Sequence, residues 1–404
     1  MITIKITTDR ESALYHIGEK AGFAIGVHEG EKPLQSGLVT VQFSSDTEAV
    51  FQERKYDLSK NNPLNLEWAM PVPGFLRCRA WMNEGDKKIK GQSAAAFEPE
   101  NILPVLPEPE DFDGFWQDSI KSLDAIPEDA RLERLDDSSG DKFDCYKVSF
   151  ANIANTRIYG FLSVPKGAGP FPALICVPGA GRSVNIPDTQ WVKEGVMVLL
   201  MNVHAYDPPK DNAALEKIHK ELIAKNHYYC HGLEDKKKYF FRRAILGIYR
   251  ATEWLTKRND VDPARVVFSG VSQGGSMAFY QAGLSGKITA ALIIVPGMGD
   301  HGGFLIGRHP ATVHFPGFSE HLGTLAYFDT VNFAKRIKCP VMMGVGFLDD
   351  CCFPSSCYPP YNVMTCEKTV INAVEYGHAL NTDKYFTQFY SWLRRKLGIV
   401  QKTA

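Results

Sequence analysis

The run Ser269-Gly-Val-Ser-Gln-Gly-Gly-Ser276 has the sharpest chemical meaning in this sequence. It holds Gly270-x-Ser272-x-Gly274 directly after an apolar run, Arg265-Val-Val-Phe-Ser269, and ahead of a helix-like run, Met277–Leu284. A serine on a tight strand-to-helix turn presents its hydroxyl at the strand's end. Glycines flank it because neighbouring chain approaches too closely for side chains. The N-terminus of the following helix favours negative charge on the reacting oxygen. Ser272 is therefore expected to be a nucleophile. The alternative is a glycine-rich turn with an ordinary serine.

A serine hydroxyl near pH 7 needs a base, and the base needs an orienting carboxylate. On a strand–helix scaffold of this kind the chain order is serine, acid, histidine. The apolar run Val341–Val345 leads into Gly346-Phe-Leu-Asp-Asp350, so Asp349 and Asp350 both sit where the acid belongs, past the end of a late strand. The base is expected at His378, after a last strand, Val370–Val374, and before a terminal helix, Asp383–Leu397. His204, His227, His231, His301, His309, His314 and His321 are read as loop histidines, and none follows the acid. The tetrahedral intermediate also needs two N–H donors. The backbone N–H of Gln273, next after the serine, is one. The second is expected from the loop Val177-Pro-Gly-Ala-Gly-Arg182, at the N–H of Ala180.

The elements that must hold these residues are legible from residue 143 onward. Ala173–Val177, Val196–Met201, Arg265–Ser269, Ala290–Val295 and Val341–Val345 are continuous apolar runs, as strands covered on both faces require. Tyr239–Arg258 reads as a helix between two of them. The expected fold is α/β, a mostly parallel sheet with helices on both faces, over residues 111–404. Residues 1–98 differ. Ile2–Ile6, Phe23–Val27, Leu38–Phe43 and Phe75–Trp81 are short strand candidates, the first three alternating apolar and polar, separated by turn signals at Gly30–Pro33 and Asn61–Pro63. They predict a small antiparallel, immunoglobulin-like β-sandwich with a structural or carbohydrate-contacting role. Pro99, Pro104, Pro107 and Pro109 mark a stiff linker at 99–110. After it, Phe112, Phe115, Trp116 and Ile120 recur at helical spacing.

Together these residues resemble the acetyl xylan esterase/cephalosporin C deacetylase family of α/β-hydrolases, the seventh carbohydrate esterase family. The resemblance rests on Pro109-Glu-Asp-Phe-Asp-Gly-Phe-Trp116, Lys238-Tyr-Phe-Phe-Arg-Arg243, Gly270-Val-Ser-Gln-Gly-Gly275 and Gly346-Phe-Leu-Asp349, and spans about residues 105–400. It implies Asp349 rather than Asp350 as the acid, because the family's acid follows a Gly-x-x-Asp pattern. It implies His378 as the base. It implies an acetylated oligo- or polysaccharide substrate, no cofactor, and a homo-oligomer. Two segments depart from the family. The usual His-Gly-aromatic oxyanion loop reads Pro178-Gly-Ala180, and Asn202-Val-His-Ala-Tyr-Asp207 replaces Asp-Thr-Arg-Gly-Gln-Gly, so the sugar or the acyl group can differ from acetyl xylan. The N-terminal β module is similar to those on polysaccharide-degrading esterases of gut Bacteroidetes. A serine peptidase on the same scaffold and an inert carbohydrate-binding protein are the competing readings.

Composition agrees with a folded enzyme. The 404 residues carry 45 Lys plus Arg against 46 Asp plus Glu, so the basic excess of a general nucleic-acid or anionic-membrane binder is missing. No apolar run reaches the length of a membrane span and the first ten residues lack a signal-peptide core. The chain as given is expected in the cytoplasm, or in the periplasm or outside the cell if a signal segment preceded it. No Gly-x-Gly-x-x-Gly or phosphate-binding loop supports nucleotide binding. Of nine cysteines, Cys351, Cys352, Cys357 and Cys366 cluster after the acid. They are expected as free thiols, with a disulfide or a metal site as alternatives; their spacing fits no standard zinc pattern.

Overall fold

The computed structural model describes residues 1–224, 227–310, 317–380 and 383–399. The first 97 residues form nine strands: β1 (Ile2–Thr8), β2 (Leu14–Tyr15), β3 (Ala21–Glu29), β4 (Lys32–Pro33), β5 (Leu38–Ser45), β6 (Val50–Asp57), β7 (Leu64–Trp68), β8 (Gly74–Glu84) and β9 (Lys87–Phe97). Strict alternation along β3 puts Ala21, Phe23, Ile25 and Val27 inside and their neighbours outside. One sheet joins β1, β3, β4 and β7; the other runs β2-β9-β8-β5-β6. All pairs are antiparallel except the short β2–β9 contact. The sheets meet through their apolar faces, with the rings of Phe23 and Phe43 5.5 Å apart edge to face.

β8 breaks the alternation. Residues 74–78 are all buried, because one face of the strand packs inside the module and the other lies against the second half of the chain. Phe75 makes that outward contact, edge-on to Phe347 with ring centroids 5.0 Å apart.

The remainder is built on a nine-stranded sheet: β10 (Arg131–Arg134), β11 (Phe143–Asn152), β12 (Thr156–Pro165), β13 (Phe171–Val177), β14 (Met197–Met201), β15 (Val261–Val271), β16 (Ala290–Ile294), β17 (Val341–Gly346) and β18 (Lys368–Ala373). Their spatial order is β10-β11-β12-β14-β13-β15-β16-β17-β18. The pairs from β10 to β14 through β12 are antiparallel. Those from β14 to β18 are parallel. The expected parallel sheet is therefore present with an antiparallel flank that the apolar runs do not announce. Strand order reverses between β13 and β15, and the crevice outside their carboxyl ends is where open α/β sheets bind ligands.

The helices are α1 (Phe112–Asp124), α2 (Asn212–Ala224), α3 (Phe240–Thr256), α4 (Gln273–Leu284), α5 (Leu322–Leu325), α6 (Thr330–Ala334), α7 (Pro354–Val363) and α8 (Asp383–Leu397). Trp116 of α1 is buried among Phe115, Phe328 and Phe333, and its indole N–H donates to the Tyr327 carbonyl at 3.1 Å. Buried Arg250 of α3 donates to the carbonyls of Ile126 at 2.9 Å and Ala151 at 2.6 Å, tying α1's exit to the sheet. The proline-rich segment is strapped down rather than free. Val105 N–H donates to Asp300 at 2.9 Å, Asn362 donates to the carbonyls of Pro99 and Ile102 at 2.9 Å each, and Glu108 pairs with Lys335 and Arg336. Among the described residues no helix is long and apolar enough to cross a membrane.

Candidate active site

Ser272 follows β15 and occupies the N-cap position of α4. Its backbone sits at φ 58°, ψ −122°, a strained conformation for a non-glycine residue. The reason is visible in its neighbours. A Cβ on Gly270 would lie 2.0 Å from the Gly274 carbonyl oxygen, and one on Gly274 would lie 2.1 Å from that of Val177. Both glycines are therefore required by close backbone packing, as the spacing predicts. Ser272 N–H donates to Ile294 at 2.9 Å and its carbonyl accepts from Ser276 at 3.1 Å, which pins the turn at both ends.

Asp349 follows β17. It is fully buried, while Asp350 is exposed. Asp349 Oδ1 accepts the backbone N–H groups of Cys351 and Cys352, both at 2.8 Å. Oδ2 lies 2.9 Å from His378 Nδ1. The acid loop and the histidine loop interlock: Leu348 N–H donates to Tyr376 at 3.0 Å, and a Cβ on Gly346 would lie 2.3 Å from the Gly377 carbonyl oxygen. Asp349 and His378 are thus brought together in a geometry that fixes one imidazole tautomer.

The Ser272 side is looser. Among the described residues no hydrogen bond joins Ser272 to His378; Ser272 Oγ lies 3.9 Å from Cys352 Sγ. Catalytic hydrogen bonds that are long without substrate commonly tighten when it binds. His378 is held above the ordinary imidazole range, first by its hydrogen bond to Asp349 and next by Cys351. The Cys351 thiol is correspondingly lowered, by Cys352 first and His378 second.

The two segments expected to supply oxyanion N–H donors lie at the same turn. Gln273 opens α4, so its N–H belongs to the helix's unpaired first turn. The Pro178–Gly181 loop passes beside Ser272: a Cβ on Gly179 would sit 3.7 Å from Ser272 Cβ. Ala180 in that loop is exposed. Tyr228, which the sequence reading passed over, is buried and its hydroxyl donates to Gln273 Oε1 at 2.6 Å. Its ring packs edge-on to His204, whose Nε2 lies 2.9 Å from the Gly181 carbonyl oxygen. Tyr228 and His204 thus brace the loop against the start of α4. The cue in the sequence was weak: Tyr228-Tyr-Cys230 is a short 3-10 turn with no motif around it.

The histidines set aside as loop residues divide. His204 and His301 are buried, and burial pushes both imidazoles down to about 4, so they are neutral packing groups rather than solvated ones. His314 lies outside the described residues. All nine cysteines are free thiols. The ligand atoms of Cys351, Cys352 and His378 lie within 4.8 Å of one another, the one group here compact enough to share an ion among the described residues.

Comparison with known proteins identifies the scaffold. The sequence model of the acetyl xylan esterase family matches residues 100–304 and 308–396. The chain belongs to the acetyl xylan esterase family. It is accordingly a carboxylic ester hydrolase. It is 30% identical over 392 residues to the acetyl esterase Axe7A of Xylanibacter ruminicola, an alignment covering 95% of this chain and 88% of that protein. Among solved structures it is similar to an acetyl xylan esterase from Paenibacillus sp. R4, at a TM-score of 0.63 and 23% identity over 74% of this chain and 98% of that one. It is similar also to acetyl xylan esterase 1 from Thermoanaerobacterium sp. JW/SL YS485, at a TM-score of 0.61 and 24% identity over 73% and 98%. These structural likenesses carry the α/β-hydrolase fold.

Proposed function

We propose that this protein is a serine acetyl esterase that deacetylates a decorated saccharide through Ser272, His378 and Asp349. The observation that carries the reading is the buried Asp349 carboxylate, 2.9 Å from His378 Nδ1, beside a serine strained onto a strand-to-helix turn. His378 Nε2 takes the proton of Ser272 as Oγ attacks the ester carbonyl. Asp349 keeps the imidazole in the right tautomer and stabilises the imidazolium. The N–H groups of Gln273 and Ala180 receive the oxyanion. The sugar hydroxyl leaves with the proton from His378. Water, activated by His378, then releases acetate from Ser272.

The acetylated saccharide as substrate is supported by family membership and by the name of the relative Axe7A, an acetyl esterase. We read residues 1–98 as an immunoglobulin-like sandwich, residues 99–110 as a connector and residues 111–404 as the catalytic unit. The facing aromatic interior of the two amino-terminal sheets supports the first of these. The test is acetate release from acetylated xylo-oligosaccharides by wild type and Ser272→Ala. Release by the wild type, falling at least a hundredfold in the variant, is expected. Equal release by both would remove Ser272 from the reaction. Hydrolysis of peptides but of no ester would favour a peptidase.

A further inference from the structure

The amino-terminal module reaches the catalytic acid. Arg77, on β8, is 1% exposed although it carries a charge. Its guanidinium Nη2 donates to the backbone carbonyl of Asp349 itself. One strand away, Asp46 follows β5, is likewise buried, and accepts the backbone N–H of Ser355 at 2.9 Å. Ser355 lies in the first turn of α7, which leaves the acid loop. Phe75 completes the contact by packing on Phe347, two residues before the acid, and on Tyr358 of α7, with ring centroids 5.0 and 5.6 Å apart. The module therefore grips the loop 347–358 on both sides of Asp349.

Adhesion alone does not explain this pattern. Apolar residues such as Phe75 suffice to glue two folded units together. A buried guanidinium is costly unless opposite charge and hydrogen-bond acceptors meet it. Here the Asp349 carbonyl accepts from Nη2 and Asp46 supplies opposite charge nearby, while Nε has no hydrogen-bond partner among the described residues. The charges around Arg77 are Asp46, Arg79, Asp350 and Asp349. The contact is also placed on a loop whose position the proposed mechanism depends on. The Asp349 carboxylate is held through N–H groups of its own loop, so a shift of that backbone moves the carboxylate and the imidazole bonded to it.

We propose that the amino-terminal module is a working part of the active site, in which Arg77 and Asp46 act as positioning residues that hold the acid loop in register with His378. The inference rests on the reading of Asp349 as the triad acid. It assigns the module a catalytic consequence without contact with substrate.

The experiment uses the full-length protein with p-nitrophenyl acetate, measuring kcat, KM and thermal melting, together with the far-downfield proton resonance of the His378 ring N–H that faces Asp349. Arg77→Met is expected to lower kcat about tenfold to a hundredfold, the usual cost of ångström-scale misplacement, while KM stays within about threefold. The downfield resonance is expected to shift or vanish. Arg77→Lys, which keeps a donor and the charge, is expected to recover part of both. Thr47→Val deletes a hydrogen bond to the Gly307 carbonyl, 2.8 Å long, between the same two units; it is expected to change melting only. If Arg77→Met does not fold, the near-isosteric Asp46→Asn carries the test and is expected to lower kcat several-fold. Wild-type kcat and an unmoved resonance in the folded Arg77 or Asp46 variant, beside an inactive Asp349→Asn, would overturn the inference and leave the triad standing. An active Asp349→Asn would instead bring down the triad reading on which it rests.

Discussion

Replacing Asp349 by asparagine isolates the charge of the acid with little change of shape. The carboxylate is fully buried and accepts three hydrogen bonds, two from backbone N–H groups at 2.8 Å and one from His378 at 2.9 Å. The asparagine carbonyl oxygen can keep both backbone bonds, so the loop stays folded. Its NH₂ then faces Nδ1, which must become an acceptor, and the proton moves to Nε2. In that tautomer His378 cannot take a proton from Ser272. The imidazolium of the transition state also loses its counter-charge. At about 4 Å and an effective dielectric constant of about 20, that attraction is about 4 kcal/mol, or roughly a thousandfold in rate. With the tautomer penalty, kcat is expected to fall about 10³–10⁴-fold at pH 7. KM should change little, because no contact with substrate is lost. The assay is p-nitrophenol release by the purified variant, with circular dichroism to check folding. A folded variant that loses less than about tenfold would refute the reasoning, because a buried anion beside the base would then contribute nothing to catalysis.

Three further outcomes follow from the same geometry. His378 must be neutral to act as base, and its pKa is raised by Asp349 and Cys351; the acid limb of kcat/KM is therefore expected above the ordinary imidazole value of about 6.5, and Cys351→Ser is expected to move that limb to lower pH. The thiol of Cys351 is exposed and lowered to about 5, whereas Cys78, Cys145, Cys352 and Cys357 are buried; iodoacetamide at neutral pH is expected to modify Cys351 before those four and to abolish esterase activity in step, as peptide mapping would show. Tyr228→Phe removes the 2.6 Å bond to Gln273; a stability loss of about 1 kcal/mol and a fall in kcat of less than about tenfold are expected from melting and rate measurements.

The site was more legible in the sequence than the scaffold around it. Gly270 and Gly274 stand out because backbone oxygens fill the space their side chains would need, so the spacing itself encodes the turn. The proposed acid follows a continuous apolar run, Val341–Val345, and the proposed base follows a strand interrupted by Asn372, and chain order does the rest. Choosing Asp349 over Asp350 needed the family pattern; the burial of Asp349 beside an exposed Asp350 supports the same choice. Other features left no local trace. α7 contains Pro359 and Pro360, residues that disfavour a helix interior, yet it is a helix packed tightly enough that a Cβ on Gly299 would meet Pro360 Cγ at 3.1 Å. Tertiary packing outweighs helix propensity there. Arg77 lies within a strand and Asp46 just after one, and their partners lie hundreds of positions away. No periodicity can report such a contact. Tyr228 was missed for the same reason, because its partner Gln273 comes from another element.

The central claim is that Ser272 carries the acyl group, and the most direct measurement is to catch it there. Rapid mixing with p-nitrophenyl acetate, followed by acid quench and peptide mass mapping, would locate the adduct. A burst of p-nitrophenol matching the enzyme concentration, with a single acetyl group on the peptide containing Ser272 and none in Ser272→Ala, is the predicted result. Full turnover with that peptide unmodified at every time point, or with acetyl found on Cys351 or Cys352 instead, would contradict the account.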